Sequence, residues 1–248
     1  MTTPTHVTWL GHSTVMVELQ GTTILTDPLL RGRVMHLRRI APATPREIDV
    51  DAVLISHAHW DHLDLGSLEL LRRDVLIVVP RGAGQLVAKR RFSNVVELAN
   101  GESVGLDGAV VRATEARHPV SNWVRRSAAL AIGFVVEGTQ CVYFAGDTDL
   151  FDGMRTLAPH LDVALLPVAG WGPRLPPGHL DPERAAQALG MLRPAVAVPI
   201  HWGTYAPLGT RRTASPTAAP EEFRRRAATL APAVDVRILA VGESTEVR

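Results

Sequence analysis

The sequence predicts an α/β protein whose sheets are covered by helices. Short apolar, β-branched runs outnumber helical segments. The two kinds alternate along the whole chain rather than falling into separate halves. No linker, low-complexity tail or solenoid repeat interrupts the 248 residues, a length that suits one large domain or two small ones. The even spread favours a single domain over residues 1–248.

Val7–Leu10, Thr14–Leu19 and Thr22–Thr26 read as strands, with Gln20-Gly21 as a hairpin turn. Residues 28–47, rich in Arg and Pro and without periodicity, read as a long loop, a feature that compact domains often reserve for function. Val53–Ser56 is expected as a strand, Leu63–Arg72 as a helix, Val75–Val79 as a strand and Gly82–Arg91 as a short helix. Val95–Leu98, Ser103–Leu106 and Ala109–Glu115 follow as strands. Ala128–Glu137 and Gln140–Ala145 pair around Gly138-Thr139, and Leu150–Leu157 is expected to be helical. The strand Val163–Pro167 leads into a Gly- and Pro-rich loop, residues 169–180. Asp181-Pro182 then opens a helix, because Asp caps N-termini and Pro suits the first helical position. A strand Val196–Ile200, a loop at 206–219, a helix Glu221–Leu230 and a last strand Val234–Leu239 complete the reading.

Apolar residues make up 46% of the chain and charged residues 21%, as in ordinary folded proteins, and the formal net charge of +1 gives no broad attraction to nucleic acid or membrane. Cys141 is the only cysteine and lies in an apolar run, so it reads as a core residue. A single cysteine forms no internal disulfide, which together with the absence of a signal-like start leads to the expectation of a cytoplasmic protein. No apolar run approaches the ~20 residues of a transmembrane helix. Oligomeric state stays open, a homo-oligomer included.

His57-Ala58-His59-Trp60-Asp61-His62 is the most informative stretch. Three imidazoles and a carboxylate follow an apolar strand directly. Strand geometry aims His57 and His59 to one side, and a turn must then return Asp61 and His62 to the same place. Imidazole nitrogen with carboxylate oxygen is the donor set for zinc, manganese or iron(II). Further candidates stand where other strands end: His118 after 109–115, Asp147 in Ala145-Gly146-Asp147-Thr148, where a glycine turn is expected to expose the carboxylate, and His201 after 196–200. His179 lies in the loop before a helix. His6, His12, His36 and His160 read better as structural or exposed, although His12, in Trp9-Leu10-Gly11-His12-Ser13, could lie near the pocket.

The 57–62 motif with His118, Asp147 and His201, in that order and spacing, resembles the metallo-β-lactamase superfamily over almost the whole chain. The resemblance implies an αβ/βα sandwich of two mixed sheets flanked by helices, with metals at one edge. It implies that His57, His59 and His118 hold one ion, that Asp61, His62 and His201 hold another, and that Asp147 bridges them. Asp27, in Thr26-Asp27-Pro28, matches an early aspartate that orients a ligand histidine. Trp9 to Glu18, Leu25-Thr26-Asp27-Pro28, His62-Leu63-Asp64 and Ile200 to Thr204 look more specifically like the branch of N-acyl-phosphatidylethanolamine-hydrolysing phospholipase D and ascorbate-6-phosphate lactonase-like proteins. Trp60, in place of a tyrosine, and the lack of a long N-terminal extension depart from the animal phospholipase.

The implied cofactors are two divalent ions, zinc in preference to manganese. Two such ions ~3.5–4 Å apart lower the pKa of a shared water toward neutrality and supply hydroxide as nucleophile. Asp61 and Asp147 would hold charge and accept a hydrogen bond from it. His179 would bind substrate or protonate the leaving group, or else only stabilise its loop. Arg31, Arg33, Arg38 and Arg39, and the pair Arg125-Arg126, are either a phosphate-binding fork or a solvated loop. Trp123, Trp171 and Trp202 are either pocket wall or core. The expected function is hydrolysis of a phosphodiester or other anionic ester of a small-molecule or lipid-derived substrate, with lactone or carboxylic-ester hydrolysis as the alternative. A nuclease is disfavoured for want of an added exosite. A di-iron redox protein is disfavoured because that branch usually carries Glu at the position of His59.

Overall fold

The computed structural model describes residues 4–45, 47–119, 130–171, 175–210 and 216–248. Trp123, Arg125 and Arg126 lie outside the described residues. Strands β1 (Thr5–Gly11), β2 (Thr14–Leu19), β3 (Thr22–Thr26), β6 (Ala52–Leu54), β7 (Leu76–Pro80), β8 (Val95–Leu98) and β17 (Ser244–Val247) form one sheet, ordered β17-β1-β2-β3-β6-β7-β8. Strands β9 (Ser103–Leu106), β10 (Ala109–Glu115), β11 (Ile132–Glu137), β12 (Cys141–Phe144), β13 (Val163–Pro167), β14 (Val196–Ile200) and β16 (Asp235–Val236) form a second, ordered β16-β14-β13-β12-β11-β10-β9. Both sheets are mixed, and helices lie outside them, as expected for the αβ/βα sandwich.

Alternation along the strands builds the layers. Ile24, Ala52, Leu54 and Val78 turn inward to a core shared with Phe134, Val136, Phe144 and Leu165 of the second sheet. Their neighbours Leu25, Val53, Ile77 and Val79 turn outward and pack with Leu68 and Val87 from α1 (Leu65–Leu68) and α2 (Gly84–Ala88). A strand buried on both faces reads as a continuous apolar run, which is why these segments were legible. On the other side, α3 (Pro182–Leu192) and α4 (Ala218–Leu230) add Ala185, Leu189, Phe223 and Ala227 to the main core. Asp181 caps α3 as expected, its side chain accepting from the Arg184 amide at 2.8 Å.

Several expectations are corrected. Residues 28–47 are not all loop: β4 (Arg33–Val34) and β5 (Leu37–Arg39) form a hairpin on which β15 (Tyr205–Pro207) pairs, so the 206–219 loop also begins as a strand. The helix expected at 63–72 is the single turn α1, because the chain tightens to i→i+3 bonds (Leu70 N–H to Ser67 O, Leu71 N–H to Leu68 O) that bury Leu71. Of residues 150–157 only Asp152–Thr156 are helical, as a 3-10 helix. Only Asp235–Val236 of the expected last strand pairs with β14, and the chain then crosses to the first sheet as β17. Cys141 is half-buried, and burial raises its thiol to about 11.

Strand direction gathers the site. β1 and β3 are each antiparallel to β2, and β3 is parallel to β6, so β1, β3 and β6 run the same way. By the same reasoning β10, β12, β13 and β14 run together in the second sheet. The carboxyl ends of these seven strands lead to His12, Asp27, His57, His118, Asp147, Ala169 and His201. Ligands in sheet proteins commonly sit at such carboxyl ends.

Candidate metal centre

The turn after His59, closed by the His62 and Leu63 amides on the His59 carbonyl at 3.0 and 2.7 Å, returns Asp61 and His62 to the strand ends. Two groups of donors result. In the first, His59 Nδ1 lies 2.9 Å from His57 Nε2 and 3.0 Å from His118 Nε2. In the second, His62 Nε2 lies 3.2 Å from His201 Nε2, with Asp61 Oδ2 at 3.7 and 3.9 Å from those two nitrogens. Asp147 stands between the groups. Its Oδ2 is 3.1 Å from His62 Nε2 and 4.0 Å from His57 Nε2, and its Oδ1 is 3.4 Å from His201 Nε2. Every expected metal residue is therefore in one place. Asp147 is buried, not exposed as its glycine turn suggested, because four histidines surround it. Gly146 (φ +59°) allows this approach: a Cβ there would stand 2.4 Å from Ser56 Cβ.

The outward nitrogens have their own partners, which fixes the tautomers. His118 Nδ1 donates to the Gly178 carbonyl and His201 Nδ1 to the Ala169 carbonyl, both at 2.9 Å. Asp27 serves both groups. Its Oδ2 accepts from His62 Nδ1 at 2.7 Å and from Ser56 Oγ at 2.6 Å, and that hydroxyl in turn accepts from His57 Nδ1 at 2.9 Å. The Ser56 amide donates to Asp27 Oδ1 at 2.7 Å. Ser56 is a site residue that sequence reading missed, since a serine before the motif carries no signal of its own.

Electrostatics sort these groups. Burial holds His57 well below the ordinary imidazole range, His59 down at about 4, His201 at about 3, and His118 below its usual value. Burial would lower His62 too, but Asp147, Asp61 and Asp27 overcome it and hold His62 well above. Burial likewise opposes ionisation of Asp61 and Asp147, and the surrounding histidines nonetheless keep both well below the usual carboxylate range. Asp27 is raised by burial.

These facts test whether the residues fit a metal. His57, His118 and His201 are neutral with their protons on the outward nitrogen, so their inward nitrogens present bare lone pairs. One proton on His59 Nδ1 can satisfy only one of the two nitrogens facing it, and His59 Nε2 and Asp147 Oδ1 are buried without a hydrogen-bond partner. Converging lone pairs around two ionised carboxylates call for cations. The donor set is the one zinc and manganese take, so the residues fit.

Three other expectations resolve here. His179 reaches the site, with Nε2 3.2 Å from Asp147 Oδ2 and Nδ1 donating to the Pro176 carbonyl at 2.9 Å; Asp147 raises it against burial. Arg31 and Arg39 turn away from the histidines. Arg31 makes a fork with Asp64 (2.7 and 2.6 Å), and Arg39 bonds the carbonyls of Pro42 and Leu10 (2.7 and 2.6 Å). Arg33 and Arg38 face each other across the β4–β5 pair. Of the tryptophans, Trp171 Nε1 donates to Asp61 Oδ2 at 3.0 Å, whereas Trp202 stacks on Trp9 (centroids 4.4 Å apart) in the core. His36 lies edge-on to both Trp60 and Trp171, each 5.1 Å between centroids.

The comparisons agree with this geometry. A family model described as a β-lactamase superfamily domain matches residues 22–202. A protein named a metal-dependent hydrolase from Methanopyrus kandleri is 34% identical over 247 residues, covering 97% of this chain and 99% of its own. The structure of a metallo hydrolase from the archaeon Ignicoccus hospitalis superposes with a TM-score of 0.74 at 27% identity, over 98% of each chain. A diiron β-hydroxylase from Streptomyces venezuelae shares the fold at 18% identity (TM-score 0.71, all of this chain, 54% of that one), so the fold by itself does not decide the reaction. The model's span over both sheets and a relative matched nearly end to end place this chain in the β-lactamase superfamily, among its metal-dependent hydrolases.

Proposed function

We propose that the chain hydrolyses a phosphodiester or other anionic ester, with His57, His59 and His118 holding one divalent ion, Asp61, His62 and His201 a second, and Asp147 between them. The observation that carries this reading is the convergence of bare imidazole nitrogens around only two ionised ligand carboxylates. Two dications bound there leave a net positive site, which suits an anionic substrate and the charge that develops in its transition state. Such ions, zinc in preference to manganese, would activate water as the nucleophile and polarise the electrophilic oxygen.

The chain's own groups divide the remaining work. Asp27 fixes His62 directly and His57 through Ser56, the outer support that orients ligand imidazoles. Asp61 and Asp147 hold compensating charge. His179, raised by Asp147 and anchored at Pro176, holds a proton on Nε2 beside the site, where it can pass to a departing alkoxide. A second reading, hydrolysis of a lactone or carboxylic ester, is favoured by the arginines: Arg31 and Arg39 are committed to Asp64 and to backbone carbonyls, so neither offers a fork to phosphate. A lipid-derived substrate belongs to the first reading, along the phospholipase-like motifs.

The test is turnover of bis(p-nitrophenyl) phosphate and of a simple lactone by zinc- or manganese-loaded protein, with Asp147→Ala as background. Phosphodiester turnover lost in the variant supports the first reading. Lactone turnover alone, in protein shown to carry metal, moves the assignment to the second.

A further inference from the structure

The sequence leaves His12 between a structural or exposed residue and one near the pocket, and its surroundings say more. It is buried at 2% exposure, yet its backbone holds a left-handed φ of 53°. A non-glycine residue persists there only where its neighbours over-determine it, a condition that concentrates at functional sites. Three bonds do so. The His12 amide donates to Thr204 Oγ1 at 2.7 Å, and the His12 carbonyl accepts from the His201 amide at 2.8 Å and from Trp9 Nε1 at 2.9 Å. Gly11 (φ +107°) lets the chain approach this closely, since a Cβ there would meet Thr204 Cγ2 at 2.7 Å.

The ring so held points into the second donor group. His12 Nε2 is 3.2 Å from Asp61 Oδ2, and its ring centroid is 3.9 Å from that of His201. The same Asp61 oxygen accepts from Trp171 Nε1 at 3.0 Å. An ionised carboxylate can only accept, so the bond places the proton on His12 Nε2. His12 thus touches one member of the second group through its ring and another through its backbone.

We propose that His12 is a positioning residue for the second metal: its Nε2–H, with that of the Trp171 indole, fixes Asp61 Oδ2 toward His62 and His201. The first group's own donors are three imidazoles with no carboxylate for such a bond to fix, so the role is specific to one ion. This rests on the metal reading above. Outer donors to ligand carboxylates typically change metal affinity 10–100-fold.

The test titrates chelator-stripped wild-type, His12→Ala and His12→Gln protein with Zn²⁺ in competition with a chromophoric chelator, and records the visible spectrum of each Co²⁺-loaded form. Far-UV circular dichroism and a thermal melt check folding. If His12→Ala fails to fold, Trp171→Phe, which removes the other donor to Asp61 Oδ2, takes its place: it should weaken the same ion, and wild-type affinity there would overturn the proposal. The expected result is one ion bound as in the wild type and one bound 10–100-fold more weakly in His12→Ala, with most of that loss restored in His12→Gln and its Co²⁺ spectrum unchanged. Loss of affinity in His12→Gln together with an altered Co²⁺ spectrum would make His12 a direct ligand and overturn the proposal. Wild-type affinity in both variants would overturn it as well. A wild-type protein that binds no zinc would instead sink the metal reading itself.

Discussion

The two donor groups share an aspartate and a strand-end location but differ in charge. His57, His59 and His118 are all imidazole, and burial lowers each of them, so that group is neutral and ready to bind. Asp61, His62 and His201 include a carboxylate, and His62 is held well above its ordinary value by the acids around it. Without a cation, a proton on His62 supplies the positive charge that those acids require. A metal entering the second group must displace that proton, whereas one entering the first displaces none of comparable cost. The second site is therefore expected to bind more weakly at low pH, and its affinity to rise more steeply with pH.

The largest effect follows from removing what the groups share. Asp147→Ala takes a carboxylate from both groups and a partner from His179, so turnover should fall to background and zinc stoichiometry should drop. Full stoichiometry and retained turnover in that variant would break the picture of a shared ligand. Asp27→Ala comes next. It leaves His62 Nδ1, the Ser56 amide and the Ser56 hydroxyl without their acceptor in a fully buried place, at about 1–3 kcal/mol for each unsatisfied group. We expect a lower Tm and a 10–100-fold loss of affinity at both ions, read by zinc competition. Loss at only one ion would show that the Ser56 relay does not matter.

Much of this site was legible because its residues follow strands. The motif at 57–62, His118, Asp147 and His201 all lie just beyond apolar runs, and β3, β9, β10, β13 and β14 fall where the sequence places them. The misses have physical causes. His12 also follows a strand, and its place near the pocket stayed one of two readings because only the topology shows that β1 runs parallel to β3 and β6 and so delivers it to the same end. Ser56 acts through a hydroxyl relay that no pattern announces. Arg31 and Arg39 read as free cations because two of their partners, Asp64 and the Leu10 carbonyl, lie 33 and 29 residues away in the sequence.

Ser56→Ala separates the groups more finely than Asp27→Ala. It removes the acceptor of His57 Nδ1 while leaving the direct bond from His62 to Asp27. The expected effect is a weaker first ion with the second unchanged, towards the lower end of the 10–100-fold range because the freed His57 can still adopt the same tautomer. Equal weakening of both ions would mean that Ser56 acts by packing under Gly146.

The smallest effect is on the stability of the metal-free protein, and its sign differs between the two groups. His57, His59, His118 and His201 have lowered pKa values when folded, so below the ordinary value of about 6.5 the unfolded chain binds protons that the folded chain refuses. Stability should therefore fall as pH drops from about 6.5 towards the values of about 4 for His59 and about 3 for His201. Asp27, raised by burial, opposes this over the acid part of that window. His62 and His179 are raised, so the stability they add is complete below about 6.5 and is lost as pH climbs through their folded values. Chelated protein should thus be most stable near neutral to slightly acid pH and lose Tm on both sides. His62→Gln should flatten the alkaline side most, leaving there the part that His179 adds, and should flatten the acid side less, because His62 is one of several groups that lower His57, His59, His118 and His201. If that variant instead flattened the acid side more than the alkaline side, the charge difference between the two groups would be assigned the wrong way round.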